Sequence, residues 1–185
     1  MVPCKTPDFV REDQSKGCAA KDRGRLALFL IVALLVVLLD QLSKLWIDAN
    51  RPHTELLPGF LDLVYVENTG AIFGLLHTHI QVFIALGIAA SIAILVFLYY
   101  FRPTTTLGTV SFALILSGAV GNLIDRIRLG YVIDFVRLHL HELFSWPAFN
   151  VADTALTVGL ILLIYYLYQS GVFRKENERR LKPQD

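Results

Sequence analysis

The chain has 185 residues, 55% of them hydrophobic, and a formal net charge of +1. Soluble domains average roughly 45–50% apolar residues, so the composition favours a membrane protein over a soluble one. The near-zero net charge indicates no class of partner by itself, and we expect no nucleic-acid partner. Cys4 and Cys18 precede every apolar block and lack the spacing of a metal or redox motif, so we assign them no function.

Four apolar blocks are each long enough for a helix across a hydrocarbon core of about 30 Å. The predicted spans cover about residues 26–47, 80–101, 107–124 and 151–170. The first is not a cleaved signal, because no small-residue cleavage site follows it. The third is rich in Gly and Ser, which let helices approach closely in lipid.

These spans predict an all-α polytopic membrane protein with four transmembrane helices and a small extracytoplasmic β element. The catalytic membrane domain is predicted over residues 25–171, with a tail at 1–24 and a basic tail at 172–185. Cytoplasmic segments carry an excess of Lys and Arg. Eleven such residues lie in the two terminal segments outside the spans and one, Arg102, lies between the second and third spans, whereas four lie in the outer loops, 48–79 and 125–150. We therefore expect both termini to be cytoplasmic.

Both outer loops contain strand-like sequence. Residues 61–67 and 130–136 are β-branched or aromatic with partial alternation, which predicts the β element. Residues 73–76 suggest a short amphipathic helix at the interface. Glycines at 59, 70 and 74 flank the first strand-like loop, which suggests a lid over the site as a hypothesis.

With this orientation, the notable polar residues fall at one depth near the outer face. Ionisable groups within spans are costly and are candidates for function. The candidates are Asp40, Lys44, Asn68, Gly70, Asn122, Asp125, Arg126, Asp134, Asn150 and Asp153.

Several of these residues also have a purely structural interpretation. Asp40 and Lys44 are four residues apart and can pair on one helix face. Asn122 can form hydrogen bonds between helices. Asn150 can be an N-cap, with Asp153 favoured three residues later by the helix dipole. Taken alone, the capping interpretation of Asp153 is as good as a catalytic one.

The remaining chemistry points to carboxylates. The H-x-H-E run at 139–142 has no further ligands at good spacing, so we expect no metal and no cofactor. Serine and cysteine hydrolases are disfavoured because no suitable nucleophile is present. Two aspartates sharing a site raise one pKa, and the pair can then exchange protons with water and a carbonyl oxygen. The residues alone leave Asp125, Asp134 and Asp153 as candidates.

Five segments resemble the successive motifs of lipoprotein signal peptidase (signal peptidase II), in the family's order and spacing. They are DQLSK at 40–44, NTGAIFG at 68–74, GAVGNLIDR at 118–126, GYVIDF at 130–135 and FNVAD at 149–153. The likeness covers roughly residues 26–170. Ile72 departs from the family motif, which often has Ala there.

The resemblance implies an aspartic endopeptidase that removes the signal peptide from diacylglyceryl-modified prolipoproteins, cutting before the lipidated cysteine. It identifies Asp134 and Asp153 as the catalytic dyad and makes Asp40 and Lys44 structural. It marks as substrate-binding or supporting residues Asn68, Gly70, Asn122, Asp125, Arg126 and Asn150.

The same resemblance implies location in the bacterial cytoplasmic (inner) membrane, contact with membrane phospholipids and inhibition by globomycin-type antibiotics.

One alternative function is that of a small proton-relay or transport protein that uses the same carboxylates, and another is that of a scaffold without enzymatic activity. A transport pathway predicts polar residues throughout the membrane depth, whereas the inner halves of the second and fourth spans are almost free of them.

Overall fold

The computed structural model describes residues 11–70, 80–101, 103–140 and 144–171. The helices within these ranges are α1 (Arg11–Asn50), α2 (Ile80–Phe101), α3 (Thr106–Leu129) and α4 (Val151–Gln169). The strands are β1 (Thr54–Leu57), β2 (Leu61–Asn68), β3 (Val132–Leu140) and β4 (Phe144–Ser145). The prediction of four apolar helices with a small β element is therefore confirmed. The interfacial helix predicted at 73–76 lies outside the described residues.

All four helices are long and apolar enough to cross a membrane. α3 is the central helix. In its most apolar stretch of 18 residues, 50% of the residues are buried, against 0% in the corresponding stretch of α2. It packs against each of the other three helices. The outer surfaces of α1, α2 and α4 expose many large apolar side chains, which suits contact with lipid.

Glycines allow α3 to approach its neighbours closely. A Cβ atom on Gly118 would overlap the carbonyl oxygen of Ala152 in α4, and one on Gly121 would lie 2.6 Å from Oδ2 of Asp40 in α1. From the other side, a Cβ atom on Gly159 of α4 would lie 2.8 Å from a side-chain carbon of Ile115. Small residues therefore bring the helix backbones together, as is common in membranes.

The sheet has the strand order β1-β2-β3-β4, and each neighbouring pair is antiparallel. Both strand-like segments predicted from the sequence are in it, as β2 and β3. Asn68 pairs with Val132, and Val66 pairs with Asp134. Phe149 bridges to Val136, which ties the start of α4 to β3. The sheet therefore brings Asn68, Asp134 and the first turn of α4 to one place.

The end of α3 leads directly into the sheet. Gly130 ends the helix with φ of 83°, a left-handed conformation that glycine adopts without steric cost, and its N–H donates to the Arg126 carbonyl at 3.2 Å. Strand β3 begins two residues later. Ile133 and Phe135 of β3 pack with Ile47 of α1 in a buried apolar cluster that fixes the sheet on the helix ends.

Candidate active site

A buried ion cluster joins α1 to α3. Lys44 Nζ lies 2.9 Å from Asp40 Oδ2 and 2.9 Å from Asp125 Oδ2, and the three side chains are at most 2% exposed. We call these three residues the lysine cluster. The predicted pairing of Asp40 with Lys44 on one helix face is present, and Asp125 adds a second carboxylate from α3.

The carboxylate oxygens of the lysine cluster have further hydrogen-bond donors. Asp40 Oδ1 accepts from the Ala152 N–H at 2.9 Å. Asp125 Oδ1 accepts from Gln41 Nε2 at 3.0 Å, and its Oδ2 accepts from the Ile133 N–H at 3.3 Å. The cluster thus connects α1, α3, α4 and β3. Its two carboxylates therefore bind a shared cation and further N–H donors from α1, α4 and β3.

Asp134 and Asp153 lie on either side of Asn150, and we call these two residues the aspartate pair. Asn150 Nδ2 donates to Asp134 Oδ1 at 2.7 Å. The Asn150 side-chain oxygen accepts from the Asp153 N–H at 2.9 Å, while the Asn150 N–H donates to Asp153 Oδ2 at 3.2 Å. These contacts form a capping box at the start of α4. The capping interpretation is therefore compatible with a functional role, because the cap holds the two carboxyl groups near each other.

Two more amides reach the aspartate pair. Asn68 Nδ2 donates to Asp134 Oδ2 at 2.7 Å, and Asn122 Nδ2 donates to Asp153 Oδ1 at 2.7 Å. Asp134 is 1% exposed, whereas Asp153 is half-buried. Within the described part of the chain, neither carboxylate forms a salt bridge with Lys, Arg or His. The pair is held by neutral amides instead of a cation.

The pKa of Asp134 is raised to about 6 from an ordinary value of 3.8, mainly because the carboxyl group is buried. The negative charge of Asp153 also raises this pKa, while the hydrogen bonds from Asn68 and Asn150 and the charge of Lys44 lower it. Asp134 therefore keeps its proton to a higher pH than an exposed carboxyl group does.

Arg126 lies at the edge of the aspartate pair. Asp153 and Asp134 are the carboxylates that act most strongly on its charge. Its guanidinium carbon is 5.6 Å from the centroid of the Phe83 ring. Its Nε is buried and has no hydrogen-bond partner among the described residues. Buried donors without partners are rare, so this one suits an acceptor on a bound molecule.

The structure brings together all ten residues singled out in the sequence. Asn122 connects the two groups, because its Oδ1 accepts from Lys44 at 3.0 Å and from Asn150 at 3.1 Å. Gly70 joins through its N–H, which donates to Asn68 Oδ1 at 2.8 Å. Two further residues that contact the site, Gln41 and Phe83, are not among the sequence candidates. Gln41 adjoins Asp40 in its motif, but Phe83 is one apolar residue within an apolar span.

An apolar groove of about 290 Å³ extends from Asn150 along the helices. Side chains of α1, α3, α4 and β3 line it, among them Val36, Leu114, Val136 and Val158. The polar site is therefore directly connected to surface that suits an apolar chain.

Comparison with known proteins decides the family. The family model described as Signal peptidase (SPase) II matches residues 32–169. The chain belongs to the signal peptidase II family. It is 46% identical over 142 residues to the lipoprotein signal peptidase of Moorella thermoacetica, covering 75% of this chain and 91% of that protein. It is also 46% identical over 148 residues to that of Burkholderia cenocepacia, covering 77% and 88%.

Two solved structures of bacterial membrane enzymes share the fold. One has a TM-score of 0.67 at 30% identity and covers 85% of this chain and 93% of its own. The other has a TM-score of 0.68 at 33% identity, with coverage of 75% and 91%. Membership of the family makes this chain a peptidase of bacterial membranes, as the sequence motifs predicted.

Proposed function

We propose that this protein removes the signal peptide from diacylglyceryl-modified prolipoproteins, cutting before the lipidated cysteine with water activated by Asp134 and Asp153. Its relatives are named lipoprotein signal peptidases. One observation supports Asp134 and Asp153, instead of Asp125, as the catalytic pair. Asp125 is paired with Lys44 at 2.9 Å, whereas Asp134 and Asp153 share Asn150 without a salt-bridged cation among the described residues.

The aspartate pair performs acid and base chemistry in this proposal. One carboxylate takes a proton from a water molecule, which attacks the scissile carbonyl carbon. The other carboxyl group donates its proton to the carbonyl oxygen or to the leaving amine. The two groups titrate as a unit, so the proton belongs to the pair and not to one residue. No covalent intermediate is required.

The surrounding amides and Arg126 position the reacting groups. Asn150 and Asn122 hold Asp153, and Asn150 and Asn68 hold Asp134, each through bonds of 2.7–3.2 Å. Arg126, with its unpartnered Nε, donates to a carbonyl oxygen of the substrate backbone or of its lipid. Gly70 supports this role through Asn68, and Asp125 supports it through the lysine cluster.

The substrate reaches the site sideways, from the membrane. Both termini are cytoplasmic in this proposal, because the two terminal segments and the loop between the second and third spans together carry twelve Lys and Arg residues, against four in the outer loops. The aspartate pair then lies near the outer face, where water is available. The apolar groove and the exposed apolar helix surfaces accept lipid chains and phospholipids, and globomycin-type inhibitors occupy the same site.

A proton-relay or transport function is less well supported. It requires polar groups across the membrane depth. In the described part of the chain, the buried charged and amide side chains gather where the last turns of α1 and α3 meet β3 and the start of α4. That arrangement serves one reaction centre better than a pathway.

The experiment is cleavage of a diacylglyceryl-modified prolipoprotein by the purified wild type and by the Asp134→Asn and Asp153→Asn variants. Asn keeps the side-chain shape and removes proton transfer, so each variant is expected to fold and to lose activity by about 10²–10⁴-fold. Asp48→Asn is the matched control, since Asp48 is 39% exposed and pairs only loosely with Arg51, at 3.6 Å. An inactive wild type, or a near-normal rate in either pair variant, contradicts the proposal.

A further inference from the structure

Phe83, in the first turn of α2, contacts the segment that carries Asn68. A Cβ atom placed on Gly70 would lie 2.9 Å from both Cε2 and Cζ of the Phe83 ring. The Gly70 backbone therefore packs directly on the ring, where a side chain has no room. Gly70 also has φ of +82°, which a residue with a side chain rarely adopts.

Two hydrogen bonds connect the Gly70 turn, on which Phe83 packs, to Asp134. The Gly70 N–H donates to Asn68 Oδ1 at 2.8 Å, which orients the amide so that its Nδ2 faces the carboxylate. Asn68 Nδ2 then donates to Asp134 Oδ2 at 2.7 Å. A shift of the Gly70 backbone would therefore disturb the hydrogen bond from the Gly70 N–H that fixes the Asn68 amide.

The same ring also contacts Arg126. The guanidinium carbon lies 5.6 Å from the ring centroid, within the range of a cation–π interaction. Arg126 is a cation at the edge of the aspartate pair, and its hydrogen bond to the Asn122 carbonyl is long, at 3.5 Å from Nη1. The Phe83 ring therefore supports Arg126 as well as the Gly70 turn.

We propose that Phe83 is a positioning residue for the peptidase reaction, because its ring fixes the turn that orients Asn68 on Asp134 and holds Arg126 beside the aspartate pair. This inference rests on the function proposed above. It assigns a role in the site to α2, which otherwise packs on α3 among the described helices and strands.

The test compares Phe83→Ala with Phe97→Ala by kcat, KM and the pH profile of prolipoprotein cleavage. Phe97 is a matched control on the same helix, where its ring packs on Phe112 at 5.2 Å between centroids. It lies about 21 Å further along α2, at 1.5 Å per residue. Both variants lose aromatic packing between α2 and its surroundings, but only Phe83 contacts the site.

We expect Phe83→Ala to lower kcat by about tenfold, with a smaller change in KM, since positioning contributes to the chemical step. Its pH profile should move as well. The Asn68 hydrogen bond lowers the pKa of Asp134, so weakening that bond moves the limb that reports the aspartate pair to higher pH. Phe97→Ala should leave kcat and the limb unchanged. In an Asn68→Ala background, Phe83→Ala should shift the limb less than it does in the wild type.

Substitution of Phe83 by Tyr or Leu distinguishes the effect of the aromatic ring from the effect of side-chain volume. Phe83→Tyr keeps a ring and should retain kcat within about threefold, whereas Phe83→Leu should resemble the Ala variant, because only a ring offers a face to Arg126. Folded Phe83→Ala enzyme with the kcat and pH limb of Phe97→Ala overturns the inference. If Phe83→Ala does not fold, equal and near-normal rates for Tyr and Leu overturn it. A wild type that fails to cleave, or an active Asp134→Asn variant, refutes the proposed function instead.

Discussion

Two groups of carboxylates lie side by side where the helices meet the sheet, and their surroundings differ. The lysine cluster places one cation between Asp40 and Asp125, at 2.9 Å from each. The aspartate pair has three amides, from Asn68, Asn122 and Asn150, and no salt bridge within the described residues. Asn122 belongs to both surroundings, since it accepts from Lys44 and donates to Asp153.

The difference shows how one small region can separate stability from chemistry. A cation between two buried carboxylates offsets part of their charge and binds an oxygen of each, so both groups are held in fixed ion pairs. Amides orient carboxyl groups without neutralising them, so like charges at close range continue to compete for a proton. The lysine cluster is therefore expected to serve the fold and the aspartate pair to serve the reaction.

The largest expected effect is the loss of stability in Lys44→Met. Met has a similar length but no charge, so Asp40 and Asp125 remain buried without their cation. Removing one partner of a buried ion pair typically costs about 3–5 kcal/mol. We expect the free energy of unfolding, measured in detergent, to fall by that amount.

Two further variants sharpen this result. Lys21→Met removes an exposed lysine of the same helix and should leave stability unchanged. Adding Asp40→Asn and Asp125→Asn to Lys44→Met removes the uncompensated charges, so part of the lost stability should return. Equal stability of Lys44→Met and Lys21→Met would remove the distinction between the two groups of carboxylates.

The next effect is a pH dependence of stability that arises from Asp134. Its pKa is raised to about 6 by burial, so the folded state binds the proton more tightly than the unfolded state, where the value is 3.8. The wild type therefore loses stability from Asp134 as pH rises from about 4 through about 6. Two pKa units correspond to about 3 kcal/mol, as an upper value.

Asp134→Asn removes this titration, so the variant should gain stability over the wild type as pH rises across that window. Thermal unfolding of both proteins at several pH values between 4 and 7 measures the difference in Tm. The variant is at the same time expected to be inactive, which is a common exchange of stability for activity at functional sites. A Tm difference that stays constant with pH contradicts the environment described for Asp134.

The sequence predicted the elements better than their ends. Hydrophobic blocks located the four helices, because a run of apolar residues of that length has few other uses. Strand β3 was predicted to about residue 136 but continues to Leu140. Its last residues pair with β2 and β4, as Arg137 does with Asp62 and His139 with Ser145. Such pairing depends on tertiary contacts, which local sequence does not show.

The sequence was also enough to predict that the polar residues lie together, because counting the spans placed them at one depth in the membrane. Sequence patterns could not choose among Asp125, Asp134 and Asp153 as the catalytic pair. That choice depends on which carboxylate faces Lys44 when α1 packs on α3. Family resemblance supplied that choice, and the catalytic roles remain a prediction. Phe83 gave no signal, because its position is set by the Gly70 backbone and not by its own neighbours in sequence.

The smallest expected effect on stability, and the one that connects the two groups, comes from Asn122. Asn122→Ala removes one of three contacts of Lys44 and leaves both carboxylates in place, so the cost should be about 1–2 kcal/mol. Activity should fall by about tenfold, because Asp153 loses the donor at 2.7 Å.

Asn122→Asp tests whether the donor or the shape of residue 122 matters. An aspartate fills the same space and still accepts from Lys44, but it replaces the Nδ2 donor with an acceptor that faces Asp153. If Asn122 acts through its donor, the Asp variant should be at least as inactive as the Ala variant, since it adds like-charge repulsion to the lost bond. If it only fills space, Asp should restore activity relative to Ala. Near-normal cleavage by Asn122→Asp would therefore show that the amide donor to Asp153 is not needed.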